Sequence, residues 1–74
     1  MHIKGELMSF ILKFKDIEEK RELTSENYTI RDLLKDLNLS TQTIVAKQNG
    51  ELSIQDNIIN DGDEIKLIQI IYGG

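Results

Sequence analysis

The stretch Thr29-Ile-Arg-Asp-Leu-Leu-Lys-Asp-Leu-Asn38 decides the fold, because it encodes a helix with both ends marked. Thr29 followed by Asp32 resembles a capping box, and Asp32 also suits the positive start of a helix. Asn38 provides a stop, after which Leu39 can fold back onto the last turn. Apolar residues recur at helical spacing at Ile30, Leu33, Leu34 and Leu37. We predict a helix from about Thr29 to Asn38, with Leu33, Leu34 and Leu37 among the most buried residues.

On the amino-terminal side, apolar and polar residues alternate as they do in a β-hairpin. The run from Met8 to Phe14 predicts a first strand, because one parity is apolar at Met8, Phe10, Leu12 and Phe14. After a short break, residues 17–23 predict a second strand. Charged side chains lie between its apolar ends, which is typical of a strand at the edge of a sheet. In residues 1–7, apolar side chains do not recur at the spacing of a strand or a helix, so we expect a flexible, peripheral extension. Met8 is an alternative first residue of the protein.

On the carboxyl-terminal side, turn residues separate three further strands. Asn49-Gly50 is a strong hairpin signal because both residues tolerate positive φ, and Asp61-Gly62-Asp63 predicts a tight turn. The predicted elements are a strand at Thr43–Gln48, a short strand at Glu51–Ser53, a loop at Ile54–Asn60 pinned by Ile58 and Ile59, and a last strand at Ile65–Tyr72. This order predicts an α+β domain over residues 8–72, in which one helix crosses a mixed sheet.

Composition excludes several classes of function. The chain has 74 residues and no cysteine, so it is one small domain without disulfides or thiolate metal sites. Its net charge is −4 without a cluster of Lys and Arg, which argues against nucleic acid binding. No apolar run reaches membrane-spanning length and the first residues form no signal peptide, so we expect a soluble, cytoplasmic protein.

Residues for catalysis or metal binding are scarce. His2 is the one histidine, so no histidine-based nucleophile and base pair can be assembled in the predicted domain. Asp61, Asp63 and Glu64 cluster, but they lack the ligand spacing of a calcium-binding loop, and we interpret them as solvated turn carboxylates. We therefore expect neither an enzyme nor a bound cofactor or metal.

The end of the sequence is more informative. Gly73-Gly74 directly follows the last predicted strand, and two residues without side chains make a thin, flexible thread. Such a thread can enter a narrow cleft and present the Gly74 carboxylate there. A chance glycine-ended terminus is the alternative interpretation of the dipeptide alone.

The last strand also predicts a surface next to this tail. If Ile65 and Leu67 point inward, Lys66, Ile68 and Ile70 lie on the opposite face of the sheet, because side chains alternate along a strand. Exposed isoleucines beside the tail favour a protein-binding patch, to which Val45 can add. A strand buried on both sides, or covered in a dimer, is the alternative.

These features together resemble the β-grasp sulfur carriers of the ThiS and MoaD type and the ubiquitin-like small archaeal modifier proteins. The likeness runs from about Thr29 to Gly74 and rests on four motifs in family order: Thr-Ile-Arg-Asp-Leu-Leu, Asn-Gly, Asp-Gly-Asp-Glu-Ile and the terminal Gly-Gly. It implies a β-grasp fold and a carrier that has no catalytic activity of its own.

The resemblance also implies the chemistry and the partners. A ubiquitin-activating-like adenylyltransferase would use ATP and Mg²⁺ to adenylate the Gly74 carboxylate. A sulfur donor or sulfurtransferase would then give a thiocarboxylate, or a target-protein lysine would give an isopeptide bond. Gly73 would allow close approach of the partner, with Tyr72, Ile70, Ile68, Lys66 and Val45 as further partner-binding residues. Thiamin, molybdopterin, tRNA thiolation and protein conjugation all remain open as destinations.

A β-grasp binding module that contacts RNA or protein, without any chemistry at its carboxyl terminus, is the alternative function. Such modules need no free diglycine, and those that bind RNA usually show a basic face.

Overall fold

The computed structural model describes residues 8–70, while residues 1–7 and 71–74 lie outside the described part. The described elements are β1 (Ser9–Phe14), β2 (Ile17–Glu22), α1 (Ile30–Asp36), β3 (Ile44–Gln48), β4 (Glu51–Ser53) and β5 (Glu64–Gln69). The strands form one sheet in the order β2-β1-β5-β3-β4, in which β1 and β5 are parallel and the other neighbours antiparallel. This is the predicted α+β arrangement, with β2 at a sheet edge as expected.

Helix α1 begins and ends as its sequence indicates. The Thr29 hydroxyl accepts a hydrogen bond from the Asp32 amide at 3.1 Å, and the Asp32 carboxylate accepts one from the Thr29 amide at 3.1 Å. The latter bond is the main cause that holds the pKa of Asp32 below its ordinary value. At the other end, Asn38 has a φ of 60°, and the Leu39 amide donates to the Leu34 carbonyl at 2.9 Å. The capping box and the predicted stop are both confirmed.

The core lies between α1 and the face of the sheet that carries alternate residues of β1, β3 and β5. Its members are aliphatic apart from two aromatic rings: Phe10, Leu12, Tyr28, Ile30, Leu33, Leu34, Ile44, Ala46, Ile59, Ile65 and Leu67. We call the opposite face of the sheet, which α1 does not cover, the outer face. The hydroxyl of Tyr28 donates to the Asp36 carboxylate, and burial, together with this bond, raises the pKa of Tyr28.

The predicted turns are confirmed. Asn49 and Gly50 have φ values of 55° and 90° and join β3 to β4, and Gly62 has a φ of 87° in the turn before β5. Glycine at these positions avoids the steric cost that a side chain would meet at positive φ.

Four details differ from the prediction. Leu37 is half-buried instead of being among the most buried residues, because it caps the helix at the margin of the core. Ile58 is 42% exposed, so Ile59 alone pins the loop by burial, although Ile58 forms a bridge with Thr29. Met8 is also exposed, because it precedes β1. Strand β5 ends at Gln69, one residue before Ile70, while Tyr72 and the predicted segments 1–7 and 73–74 lie outside the described residues.

In the range 8–70, no helix is long and apolar enough to cross a bilayer.

Candidate functional site

Strand β5 is the central strand of the sheet, and it precedes the segment that ends in Gly73-Gly74. Ile65 and Leu67 are buried in the core, as predicted. Ile68 and Ile70 are each 37% exposed, and Lys66 is exposed beside Ile68 on the outer face. The predicted alternation is therefore confirmed for the described part of this strand.

Val45 is brought to the same place by strand pairing. It lies directly opposite Ile68 in the antiparallel register of β3 and β5, and it is half-buried. On the next strand, Leu52 is 70% exposed and lies opposite Lys47. Strand β3, which carries Val45, therefore lies between β5 and β4, whereas β5 is the central strand of the five. We use the name docking face for Val45, Lys66, Ile68 and Ile70.

A row of three lysines crosses the outer face beside these apolar side chains. Lys13 lies opposite Lys66 in the β1–β5 register, and Lys66 lies opposite Lys47 in the β3–β5 register. The Lys13 ammonium is 3.0 Å from the Glu64 carboxylate, and the hydrogen bond to Glu64 is the main cause that raises the pKa of Lys13. Within residues 8–70, neither Lys66 nor Lys47 forms a salt bridge. We call Lys13, Lys66 and Lys47 the basic row.

The sequence did not single out Lys13, Lys47 or Leu52 as members of this surface. Alternation along a strand tells which residues share a face, but it does not tell which strands are neighbours. The Asn49-Gly50 hairpin was a usable signal, because a two-residue turn fixes the register and places Leu52 opposite Lys47.

No group of three histidine, aspartate or glutamate side chains in the range 8–70 is close enough to hold a metal ion. The acidic side chains of the Asp61–Glu64 turn are engaged in the fold, since Asp61 accepts from the Ser9 amide at 2.9 Å and Asp63 accepts from Asn49 at 2.9 Å. Asp61 and Asp63 thus lie in the predicted turn, but Asp63 is half-buried and hydrogen-bonded, so the expectation that these carboxylates are solvated is wrong for Asp63. Tyr72, Gly73 and Gly74 lie outside the described residues, as does His2.

Comparisons with known proteins agree with this arrangement. The N-terminal ubiquitin-like domain of the 4931431F19Rik protein is 17% identical, with a TM-score of 0.67, and the match covers 100% of this chain and 91% of that one. The thiamine biosynthesis protein ThiS from Geobacter metallireducens is 17% identical, with a TM-score of 0.60, over 86% of this chain and 99% of that one. At these identities the likeness establishes the fold, which is the ubiquitin-like β-grasp.

The family comparison goes further, because it is made on the sequence. The ThiS family matches residues 9–74, which is nearly the whole chain and includes the last strand and the diglycine. The chain therefore belongs to the ThiS family of small ubiquitin-like sulfur carriers.

Proposed function

We propose that this sulfur carrier acts through the carboxylate of Gly74, which a ubiquitin-activating-like adenylyltransferase activates with ATP and Mg²⁺. The observation that carries the proposal is the docking face: the exposed Ile68 in β5 and the exposed Ile70 directly after β5 lie on the segment that leads to Gly73-Gly74. An exposed apolar patch on a small domain marks a protein-binding surface. The patch and the reacting group are thus adjacent along the chain.

The chemistry needs only a carboxylate from this chain. An oxygen of the Gly74 carboxylate attacks the α-phosphorus of ATP, pyrophosphate leaves, and an acyl-adenylate forms. A persulfide on the sulfurtransferase then displaces AMP and forms an acyl disulfide. A second thiol of the partner attacks the S–S bond at the partner's sulfur, so that a disulfide forms on the partner and the thiocarboxylate leaves. If a lysine amine of a target protein attacks instead, AMP leaves, the amine loses a proton, and an isopeptide bond forms. Since ATP is the co-substrate, we place the reaction in the cytoplasm.

Each proposed partner-binding residue has a role in this scheme. Val45, Ile68 and Ile70 provide apolar area that the partner desolvates, and Lys66 provides a positive charge at its margin. Gly73 lets the partner's active-site walls approach the backbone, because it has no Cβ. Tyr72 is the last residue with a side chain before the diglycine, and it is proposed to contact the entrance of the partner's cleft.

Deleting Gly73 and Gly74 tests the reacting group. We expect the variant to keep the melting temperature of the intact chain, because the core residues all lie within residues 10–67. We expect ATP–pyrophosphate exchange with the adenylyltransferase of the same cell to fall to background, because the carboxylate is then two residues short of its reaction site. If the deletion variant is activated as well as the intact chain, the carrier proposal is wrong and a binding module explains the surface.

Changing Ile68 to Glu tests the docking face while leaving the carboxylate in place. We expect the Km for the chain in the exchange reaction to rise by about ten-fold or more, because a charge enters a surface that must lose water. Ile58→Glu is the matched control, since Ile58 is 42% exposed and belongs to the loop that bridges to Thr29, away from the docking face. Equal effects of the two substitutions would contradict the assignment of this face.

Intact mass spectrometry of the protein purified from its own cells distinguishes the two outcomes of activation. A thiocarboxylate adds about 16 Da, because one oxygen is replaced by sulfur, whereas conjugation gives much heavier adducts.

A further inference from the structure

Strand β5 extends beyond one of its two neighbours. The parallel register of β1 and β5 ends at the pair Phe14 and Leu67. On its other side, β5 remains paired with β3 up to Gln69, and the Ile70 amide still donates to the Thr43 carbonyl at 2.8 Å. The carboxyl-terminal end of the central strand is therefore paired on one side only, within the part of the chain that the structure describes.

The free side presents backbone hydrogen-bonding groups. Amides alternate in direction along a strand, so the Ile70 amide points toward β3 and the Gln69 amide and carbonyl point the opposite way. A bond from the Gln69 amide to the Lys15 carbonyl would extend the β1–β5 register by one pair, and that pair is absent among residues 8–70. The physical reason is the turn after β1, where Lys15 has a φ of 56° and the chain leaves the sheet direction.

A groove runs along this open edge. It has a volume of about 390 Å³ and is lined by Phe14, Lys15, Lys66, Leu67, Ile68 and Gln69. These residues come from both faces of the sheet, so the groove follows the edge of β5 and does not lie on one face. Gln69 shares the parity of the buried Ile65 and Leu67 and is nevertheless exposed. The end of β5 thus projects past the core into the groove.

The groove has a positive rim. Lys15 adopts the left-handed conformation in the two-residue turn between β1 and β2. Its ammonium lies 5.3 Å from the centre of the Phe14 ring, at the wall of the groove. Lys66 stands at the other wall, and neither lysine forms a salt bridge among residues 8–70. The two lysines therefore give the open edge of β5 a positive rim.

We propose that the activating partner adds an extended, acidic segment to this edge, which pairs with Gln69 as a short additional strand. The proposal rests on the proposed function and names the kind of contact that orients the tail. Free backbone groups at a sheet edge bind an extended peptide through main-chain hydrogen bonds, and the two lysines select carboxylate side chains on that peptide. Gln69 precedes Gly74 by five residues, so the added strand lies within about 17 Å of the reacting carboxylate.

Gln69→Pro tests the backbone contact, because proline has no amide hydrogen. The Gln69 amide makes no bond to β1 or β3, so we expect the variant to fold with nearly the melting temperature of the intact chain. We expect its Km in ATP–pyrophosphate exchange with the adenylyltransferase of the same cell to rise about ten-fold. Gln69→Ala loses the side chain but keeps the amide hydrogen, so we expect it to raise the Km clearly less than Gln69→Pro does. Equal Km values for Gln69→Pro and Gln69→Ala overturn the proposal.

Amide hydrogen exchange of the unmodified chain gives a second measurement that needs no substitution. We expect the Gln69 amide to exchange faster than the Ile70 amide in the free protein, and to become protected when the adenylyltransferase is added. If the enzyme activates the chain while the Gln69 amide stays unprotected, the added strand is wrong and the proposed function stands. If the intact chain supports no exchange of pyrophosphate at all, the proposed function itself fails.

Discussion

At the scale of single residues, Asp63 holds together three segments at the end of the sheet where β5 begins. Its carboxylate accepts hydrogen bonds from the Gln48 side chain at 2.7 Å, the Asn49 side chain at 2.9 Å and the Asn60 backbone amide at 2.8 Å. Asn49 completes the arrangement, because its side-chain oxygen Oδ1 accepts a hydrogen bond from the Glu64 backbone amide at 2.9 Å. One ionised group thereby fixes the β3–β4 turn against the start of β5.

This arrangement predicts how stability depends on pH. Partial burial acts to raise the pKa of Asp63, but the bonds from Asn49, Asn60 and Gln48 outweigh it, so the pKa lies below its ordinary value of 3.8. A carboxyl whose pKa is lower in the folded state stabilises the fold above its unfolded pKa, and this contribution is lost as the pH falls. We expect the free energy of unfolding, measured with urea, to fall below about pH 4.

Asp63→Asn is the control for this prediction, because asparagine does not titrate. We expect the variant to be less stable than the intact chain at neutral pH, and the difference to shrink as the pH falls below about 4. Asp32 contributes acid sensitivity to both proteins, since its pKa is also lowered and it is unchanged in the variant. A difference that stays constant down to about pH 2 would show that the charge of Asp63 is not what stabilises the fold.

At the scale of elements, helix α1 contributes most of its stability through the side chains it buries. A seven-residue helix is too short to be stable alone, so packing on the sheet must hold it. Leu34 is fully buried, and Leu34→Ala is expected to lower the free energy of unfolding by about 2–5 kcal/mol in urea denaturation. The half-buried Leu37 is the matched control, and Leu37→Ala should cost clearly less. A loss below about 0.5 kcal/mol at Leu34 would mean that the helix packs differently.

Local signals made α1 and the turns predictable from the sequence. Thr29, Asp32 and Asn38 act on backbone groups within one turn of themselves, so their roles can be read without knowing the fold. The burial of Leu37 could not be read in this way. It depends on how far the helix extends across the sheet, which is set by residues distant in sequence.

Some features of the candidate site could likewise be predicted from local sequence, and others depend on residues distant in sequence. The exposure of Ile68 and Ile70 followed from alternation along one strand, which is a local property. The basic row and the open edge at Gln69 depend on which strands are neighbours and where each one ends. Those facts arise from packing of the whole sheet on α1, and no pattern within a single strand encodes them.

At the scale of the whole molecule, the distribution of charge is uneven. The chain carries a net charge of −4, yet Lys13, Lys66 and Lys47 lie side by side across the outer face. Like charges directly opposite each other destabilise a sheet, so the fold alone does not favour this row. The basic row would raise the association rate with a partner whose binding surface has carboxylates around an apolar centre, because complementary charges accelerate encounter.

Lys66→Glu tests two effects of the basic row separately: repulsion between the lysines, which lowers the stability of the fold, and attraction of the partner, which raises the rate of association. Glutamate at this position lies between Lys13 and Lys47, so two repulsive neighbours become attractive ones. We expect the free energy of unfolding to rise by about 0.5–1 kcal/mol. We expect the rate of association with the adenylyltransferase to fall about ten-fold at low ionic strength, with a smaller difference in high salt.

Lys35→Glu is the matched control, since it changes the net charge equally in the last turn of α1, on the other side of the sheet. We expect this substitution to leave the association rate within about two-fold of that of the intact chain, because its charge is far from the docking face and is screened. Stopped-flow measurement of both variants across salt concentrations provides the comparison. If Lys35→Glu slows association as much as Lys66→Glu, overall charge governs the encounter. If instead Lys66→Glu stabilises the fold and alone slows association, the position of the charge matters, and the outer face is the surface that meets the partner.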